Sequence, residues 1–296
     1  MNRLNVRIGQ LLLQNPVMPA SGTFAEGVAR VIDVSALGAL VTKTITAEPR
    51  RGNPVPRVAE VRGGMLNAIG IPSKGVAHFA SDTLAALKDF GPPVICSISA
   101  HSARDFARLA AEVAALPGVA GIEANISCPN IEEDGKSFAM DPRSTERVMR
   151  ELRAATTLPL WAKLTPNVSD IAAVALAAEL AGADAMVVSN TVLGMAIDIE
   201  TRRPRLGNVM GGLSGPAIKP MVLRMVYQCH RALRIPVIGC GGIETAADAI
   251  EYLLAGAAAV QVGTATFNSP GAMPAVIAGI DAYLQRHGIA QVSELT

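Results

Sequence analysis

Residues 119–130 read Val-Ala-Gly-Ile-Glu-Ala-Asn-Ile-Ser-Cys-Pro-Asn. The run from Val119 to Ile126 is apolar apart from Glu123 and Asn125. A short apolar run closed by a turn signal reads as a strand buried on both faces, the kind parallel sheets use. It ends in Cys128, which stands between Asn125 and Asn130, with Pro129 turning the chain. A thiol flanked by amide side chains at a strand mouth has little use in a core. It suits a proton-transfer site.

The same pattern recurs along the chain. Candidate strands are Pro16–Ala20, Ala39–Thr44, Val94–Ser99, Gly121–Ser127, Leu160–Leu164, Ala185–Ser189, Val237–Gly239 and Ala259–Gly263. Between them lie helical patterns such as Ala103–Ala115, Ser144–Ala155, Ser169–Ala181, Lys219–Arg231 and Thr245–Ala255. Ser169 and Thr245 are predicted N-caps. Gly182 and Gly256, each between two alanines, are predicted left-handed C-caps. Eight strand–helix units in roughly 250 residues make an α/β chain of the (β/α)8 barrel class. A doubly wound open sheet would need fewer strands or a second domain. No linker or low-complexity segment divides the chain, so 1–296 reads as one barrel domain. Leu4–Ile8 and Leu11–Leu13, around Gly9-Gln10, predict an N-terminal β-hairpin under the barrel. Ile197–Gly215 is too long for an ordinary loop and predicts a small excursion after strand 6, over the top.

Composition excludes several function classes. The chain has 296 residues, is 50% hydrophobic and carries a net charge of +1, so no global field attracts nucleic acid or an anionic membrane. Aromatics are only 3%, too few for base-stacking platforms. The four cysteines, Cys96, Cys128, Cys229 and Cys240, show no metal-ligand spacing, so no metal is expected. Free thiols in a large domain point to a reducing cytoplasm. The segment Met1–Gln10 has no apolar core and does not read as a signal peptide. Ile171–Val188 is broken by Glu179, Gly182 and Asp184 and reads as helix, turn and strand rather than a membrane span.

In a barrel the C-terminal ends of the strands form the active-site face. Here those ends are polar: Ser21-Gly22-Thr23, Lys43-Thr44, Ser97–Ser99, Asn125–Asn130, Lys163–Thr165, Ser189–Thr191, Gly241-Gly242 and Gly263-Thr264. The bland reading, solvated loop residues, would not place them all at the same structural position. Gly241-Gly242 precedes a helix opening near Thr245, and with Gly263-Thr264 it predicts a phosphate site. The alternative is glycine for turn geometry alone. Lys43 and Lys163 end apolar strands, where a cation needs a ligand or a carboxylate. Glu123 is the only acid within these strands, so an ion pair is the weaker reading and an anionic cofactor and substrate the stronger. A thiol with a reference pKa near ~8.5 can be tuned to act as a general base. As a nucleophile Cys128 would need an activating histidine. His78, His101, His230 and His287 all fall in helices or loops, which favours the base. Cys96, Cys229 and Cys240 read as small buried residues.

At this point the chain resembles the dihydroorotate dehydrogenases of class 1. The strings that carry the resemblance are "NPVMPASGTF" (15–24), "TKTIT" (42–46), "MLNAIGIPS" (65–73), "NISCPN" (125–130), "AKLTPN" (162–167), "NTVLGMAIDIETRRP" (190–204), "GGLSGPAIKP" (211–220) and "PVIGCGGI" (236–243). Cysteine rather than serine at 128 is similar to the soluble class 1 enzymes, and "GGLSGPAIKP" with "IDIETRRP" is most similar to the NAD-linked subclass 1B.

The resemblance implies FMN across the barrel top and oxidation of dihydroorotate to orotate in pyrimidine biosynthesis. Its phosphate would sit on Gly241, Gly242, Gly263 and Thr264, near Gly215. Lys163 would lie by the flavin ring, with Ser21, Thr44, Ser97, Asn125 and Ser189 as further contacts and Lys43 touching flavin and substrate. Asn67, Ala68, Ile69, Gly70, Ile71, Asn125, Asn130, Asn190 and Thr191 would grip the substrate. Cys128 would take the proton from ring carbon 5 while a hydride leaves carbon 6 for flavin N5. Subclass 1B also implies a homodimer core paired with an electron-transfer subunit that carries FAD and a 2Fe–2S cluster and passes electrons to NAD. Subclass 1A would use fumarate instead.

Two departures stand out. Ser97 occupies a place where the family usually has asparagine, and residues 131–142, "IEEDGKSFAMDP", are more acidic than the usual lid. The alternative substrate is a dihydrouracil- or dihydrothymine-type ring, because the dihydropyrimidine dehydrogenases share a Ser-Cys-Pro segment and an "AKLTPNV"-like strand. They usually have histidine where this chain has Asn130. An aldolase using Lys163 as a Schiff base and a catalytically silent subunit are the readings outside redox chemistry.

Overall fold

The structure is a computed structural model that describes residues 2–127 and 137–296. Eight strands form one parallel sheet: β1 (Val17–Pro19), β2 (Leu40–Val41), β3 (Val94–Ile98), β4 (Val119–Asn125), β5 (Leu160–Lys163), β6 (Ala185–Val188), β7 (Val237–Cys240) and β8 (Ala257–Val262). Their hydrogen-bonded order is β1-β8-β7-β6-β5-β4-β3-β2. They are buried on both faces, which is why they read as apolar runs rather than alternating ones.

The two ends of that order meet. Gly38 N–H, just before β2, donates to the Val17 carbonyl of β1 at 2.8 Å. A Cβ on Gly38 would lie 2.1 Å from the Asn15 carbonyl oxygen, so only glycine permits this approach. The sheet therefore closes into the expected barrel.

Helices Ala103–Ala114, Pro142–Ala155, Ile171–Leu180, Lys219–Ala232, Ala246–Leu254 and Ala272–His287 cover the outside. Ser102, Asp141 and Thr245 cap three of them. The predicted cap Ser169 is corrected to Asp170, whose carboxylate accepts the Ala173 N–H at 3.1 Å. A carboxylate there satisfies an orphan donor and also meets the positive end of the helix dipole. Gly182 and Gly256 take φ of +102° and +103°, the left-handed conformation predicted for them.

The hairpin pairs Val6–Ile8 with Leu11–Leu13, and Ile8 and Leu13 are fully buried. A Cβ on Gly9 would touch Asp184, just ahead of β6, at 3.5 Å. The hairpin thus covers the N-terminal end of the barrel.

The excursion begins earlier than expected and has a partner that sequence reading missed. Val192–Met195, Met210–Ser214, Gly64–Asn67 and Val58–Val61 form a four-stranded antiparallel sheet in that order, beside a ribbon of Ile197–Asp198 with Arg203–Pro204. Ala59, Leu66, Ala68 and Leu206 make a small core beneath it. Two four-residue strands around Arg62-Gly63 are too short to signal themselves, and their partner lies far along the chain.

Closure at Gly38 gives a direct test. Gly38→Ala is expected to destabilise the fold by about 3 kcal/mol or more, because backbone rather than a flexible side chain stands in the way. Gly27→Ala, exposed and with nothing within 4 Å of an added Cβ, should not destabilise the fold by more than about 0.5 kcal/mol. Chemical denaturation of the two variants against the parent chain measures the difference.

Candidate active site

Barrel closure brings the C-terminal strand ends around one cleft of about 670 Å³. Ser21, Lys43, Thr44, Asn125, Lys163, Ser189, Asn190, Thr191, Gly241, Gly242, Gly263 and Thr264 line it from the barrel, and Asn67, Ala68, Ile69, Gly70, Ile71 and Gly215 from the loops and small sheet above. Ser97 does not reach it. That side chain is fully buried behind Thr44, with its Oγ 2.9 Å from Thr44 Oγ1. Its short reach leaves it bracing Thr44 rather than facing the cleft. Cys128 and Asn130 lie outside the described residues, as do Glu132, Glu133 and Asp134.

The cleft floor is charged. Lys163 Nζ donates to Gln261 Oε1 at 3.0 Å and to Ser21 Oγ at 3.4 Å, and lies 3.8 Å from Glu123 Oε1. Gln261 Nε2 in turn donates to Glu123 Oε2 at 2.6 Å. The ion pair treated as the weaker reading of Lys163 is therefore present, and it sits beneath a cleft rather than replacing one. Opposite charge and hydrogen bonds offset what burial of the cation would otherwise cost. An amine enclosed by a carboxylate and two acceptors is poorly placed for the free attack that Schiff-base formation needs. Gln261 was not singled out from sequence. Its signal was a lone polar side chain inside the apolar strand "AAAVQV".

A second cluster surrounds the mouth of β4. Ser127 Oγ donates to Asn125 Oδ1 at 2.6 Å, and Asn190 Nδ2 donates to Ser127 Oγ at 2.6 Å. Thr191 N–H donates to Asn190 Oδ1 at 2.8 Å. Asn167, another lining residue not singled out, donates from Nδ2 to Thr165 Oγ1 at 2.9 Å and to the Thr191 carbonyl at 3.1 Å. Asn67 Nδ2 donates to the Gly212 carbonyl at 3.3 Å. These bonds fix which end of each amide faces the cleft, so the site presents a set pattern of donors and acceptors.

The glycine end divides into two cases. Gly242 has φ +68° and a Cβ there would lie 2.9 Å from the Gly215 oxygen, while one on Gly215, φ +103°, would lie 2.7 Å from Gly64 Cα. Turn geometry and crowding alone demand glycine at both. Gly263 is different: a Cβ would make only ordinary contact, 3.4 Å from Ala20 Cβ. Its missing side chain leaves the backbone open to the cleft, as close approach of a ligand requires.

The helix opening at Thr245 is not the free anion site expected. Asp248 already occupies that terminus, accepting the N–H groups of Glu244 at 3.1 Å and Thr245 at 2.8 Å and pairing with Lys219 at 2.6 Å. Partial burial would raise the Asp248 pKa, but the hydrogen bonds from Lys219 and Thr245 outweigh it and hold the carboxyl below its usual value. The two glycine loops, Gly241-Gly242 and Gly263-Thr264, line the cleft beside it. Tyr252 OH pins one of them, donating to the Gly241 carbonyl at 2.6 Å.

The profile of the family "Dihydroorotate dehydrogenase" matches residues 3–284. The chain belongs to the dihydroorotate dehydrogenase family. Proteins named "Dihydroorotate dehydrogenase B (NAD(+)), catalytic subunit" are similar along nearly their whole length. That of Desulforudis audaxviator is 50% identical over 98% of this chain and 95% of its own length. Those of Trichlorobacter lovleyi and Desulforamulus reducens are 49% and 48% identical, each over 99% of this chain and 97% of theirs. Family membership sets the aldolase reading aside. Among the described residues no helix is long and apolar enough to cross a membrane, and no group of three or more His, Cys, Asp or Glu is placed to hold a metal ion.

The remaining cysteines behave as buried apolar groups. Burial pushes the Cys229 thiol up to about 12 and raises Cys96 and Cys240, with nearby Lys163 pulling Cys240 partly back. At pH 8 their thiolate fraction is therefore small. Alkylation of Cys96, Cys229 and Cys240 in the native protein should run at least about 100-fold slower than in denaturant, read peptide by peptide by mass spectrometry.

Proposed function

We propose that this chain is the catalytic subunit of an NAD-linked dihydroorotate dehydrogenase, oxidising dihydroorotate to orotate with FMN. The observation that carries the reading is the cleft: a buried lysine in its floor, an ordered amide cluster at one end and an open glycine backbone at the other. These features fit FMN. Gly242, Gly263 and Thr264 would take the phosphate, and Ser21, Thr44, Lys163 and Ser189 the ring, with Ser97 acting through Thr44. When bound, FMN supplies the two-electron acceptor that no side chain offers.

The substrate is a cyclic imide bearing a carboxylate. Asn67, Asn125, Asn190 and Thr191 offer amides and a hydroxyl for its ring edges, and Lys43 offers positive charge. Cys128, three residues after Asn125 in the chain, takes the proton from ring carbon 5. A thiol suits this task because its reference pKa lies near working pH. Asn130, two residues further along the chain, is a further substrate contact.

The names of the relatives, a B-type catalytic subunit linked to NAD(+), support a partner. That partner is an electron-transfer subunit carrying FAD and a 2Fe–2S cluster, joined to a homodimer of this chain. The buried unpaired thiols Cys96, Cys229 and Cys240 support a reducing, cytoplasmic setting.

Anaerobic addition of dihydroorotate to the yellow protein should bleach the flavin, and dihydrouracil should not. Bleaching by dihydrouracil alone would assign the enzyme to the other ring class. Cys128→Ala should keep FMN and slow bleaching by about 10²–10⁴-fold, the usual worth of a general base. Stopped-flow absorbance gives both results, and a near-normal rate in the variant would remove Cys128 from the chemistry.

A further inference from the structure

Below the cleft lies an arrangement that substrate binding does not use. Glu123 is fully buried, projects from β4 beside Lys163 of β5, and does not line the cleft. Buried acid and buried base on neighbouring strands would ordinarily close into a direct hydrogen-bonded pair. Here they do not. Lys163 Nζ stays 3.8 Å from Glu123 Oε1, and among the described residues that oxygen has no hydrogen-bond partner.

Gln261, fully buried on β8, explains the gap. Its carbonyl takes the Lys163 ammonium at 3.0 Å and its amide holds Glu123 Oε2 at 2.6 Å. Ser21 draws the same ammonium from the cleft side at 3.4 Å. One side chain thus acts as a spacer, with its acceptor toward the cation and its donor toward the anion. The carboxylate is near enough to attenuate the charge of Lys163 but is prevented from capturing it.

We propose that Glu123 and Gln261 are positioning residues that set the reduction potential of the bound flavin through Lys163. Glu123 lowers the potential by opposing the lysine charge, and Gln261 raises it by holding that charge up against the cleft. The inference rests on FMN binding in this cleft. It predicts opposite signs for two substitutions a few ångströms apart, which damage to the core would not produce.

The experiment measures the midpoint potential and sulfite affinity of FMN-loaded protein. Sulfite serves because, as an anion, its affinity for the flavin follows the local positive charge. Glu123→Gln removes the opposing charge with little change of shape. It should shift the reduced-to-oxidised ratio at fixed potential at least tenfold toward reduced, about 30 mV for a two-electron couple, and tighten sulfite about as much. Glu123→Asp should shift it less in the same direction, and carries the test if the glutamine variant does not fold. Gln261→Leu lets Lys163 fall onto Glu123 and should move both readouts the opposite way. In a Lys163→Met background Glu123→Gln should lose most of its effect. An unmoved potential, shifts of the same sign, or an undiminished effect without Lys163 overturns the proposal. A parent protein that binds no FMN instead sinks the flavin reading itself, and this inference with it.

Discussion

Every feature of the active site depends on the closure of one parallel sheet. In a parallel barrel all strands point the same way, so their C-terminal ends form a single rim. The contact between Gly38 and Val17 joins the first two strands and completes that rim. Residues as distant in sequence as Ser21, Asn125 and Gly263 then face one cleft. Removing a side chain at Gly38 is what lets the backbones approach, so a single missing methyl underlies the convergence.

The interior of such a barrel is a packed core, and polar side chains in it have to satisfy one another. Glu123, Lys163 and Gln261 do so across β4, β5 and β8. Their mutual bonds fix the lysine in the cleft floor without a flexible partner. The amides of Asn125 and Asn190 are fixed in the same way by Ser127. Both clusters are ordered by the protein itself, so little reorganisation is left for the moment a ligand binds.

Most of the barrel was legible in the chain because its signals are local. Apolar runs, caps and Ala-Gly-Ala stops all act within a few residues, and the eight strands fall where those signals put them. The small sheet over the cleft was only half legible. Val58–Val61 and Gly64–Asn67 are stabilised by pairing with Met210–Ser214, a contact that no local window contains. The cap moved from Ser169 to Asp170 because two adjacent residues offer the same chemistry and only the helix register chooses between them.

The sequence by itself determined the strand and helix pattern, the polar strand ends and the residue types available for chemistry, since each is a property of composition and spacing. Tertiary structure alone decided who meets whom. It placed Ser97 behind Thr44, gave the Thr245 helix terminus to Asp248, and set Gln261 between Glu123 and Lys163. Those outcomes turn on ångström-scale distances between side chains on different strands. Such distances exist only once the sheet has closed.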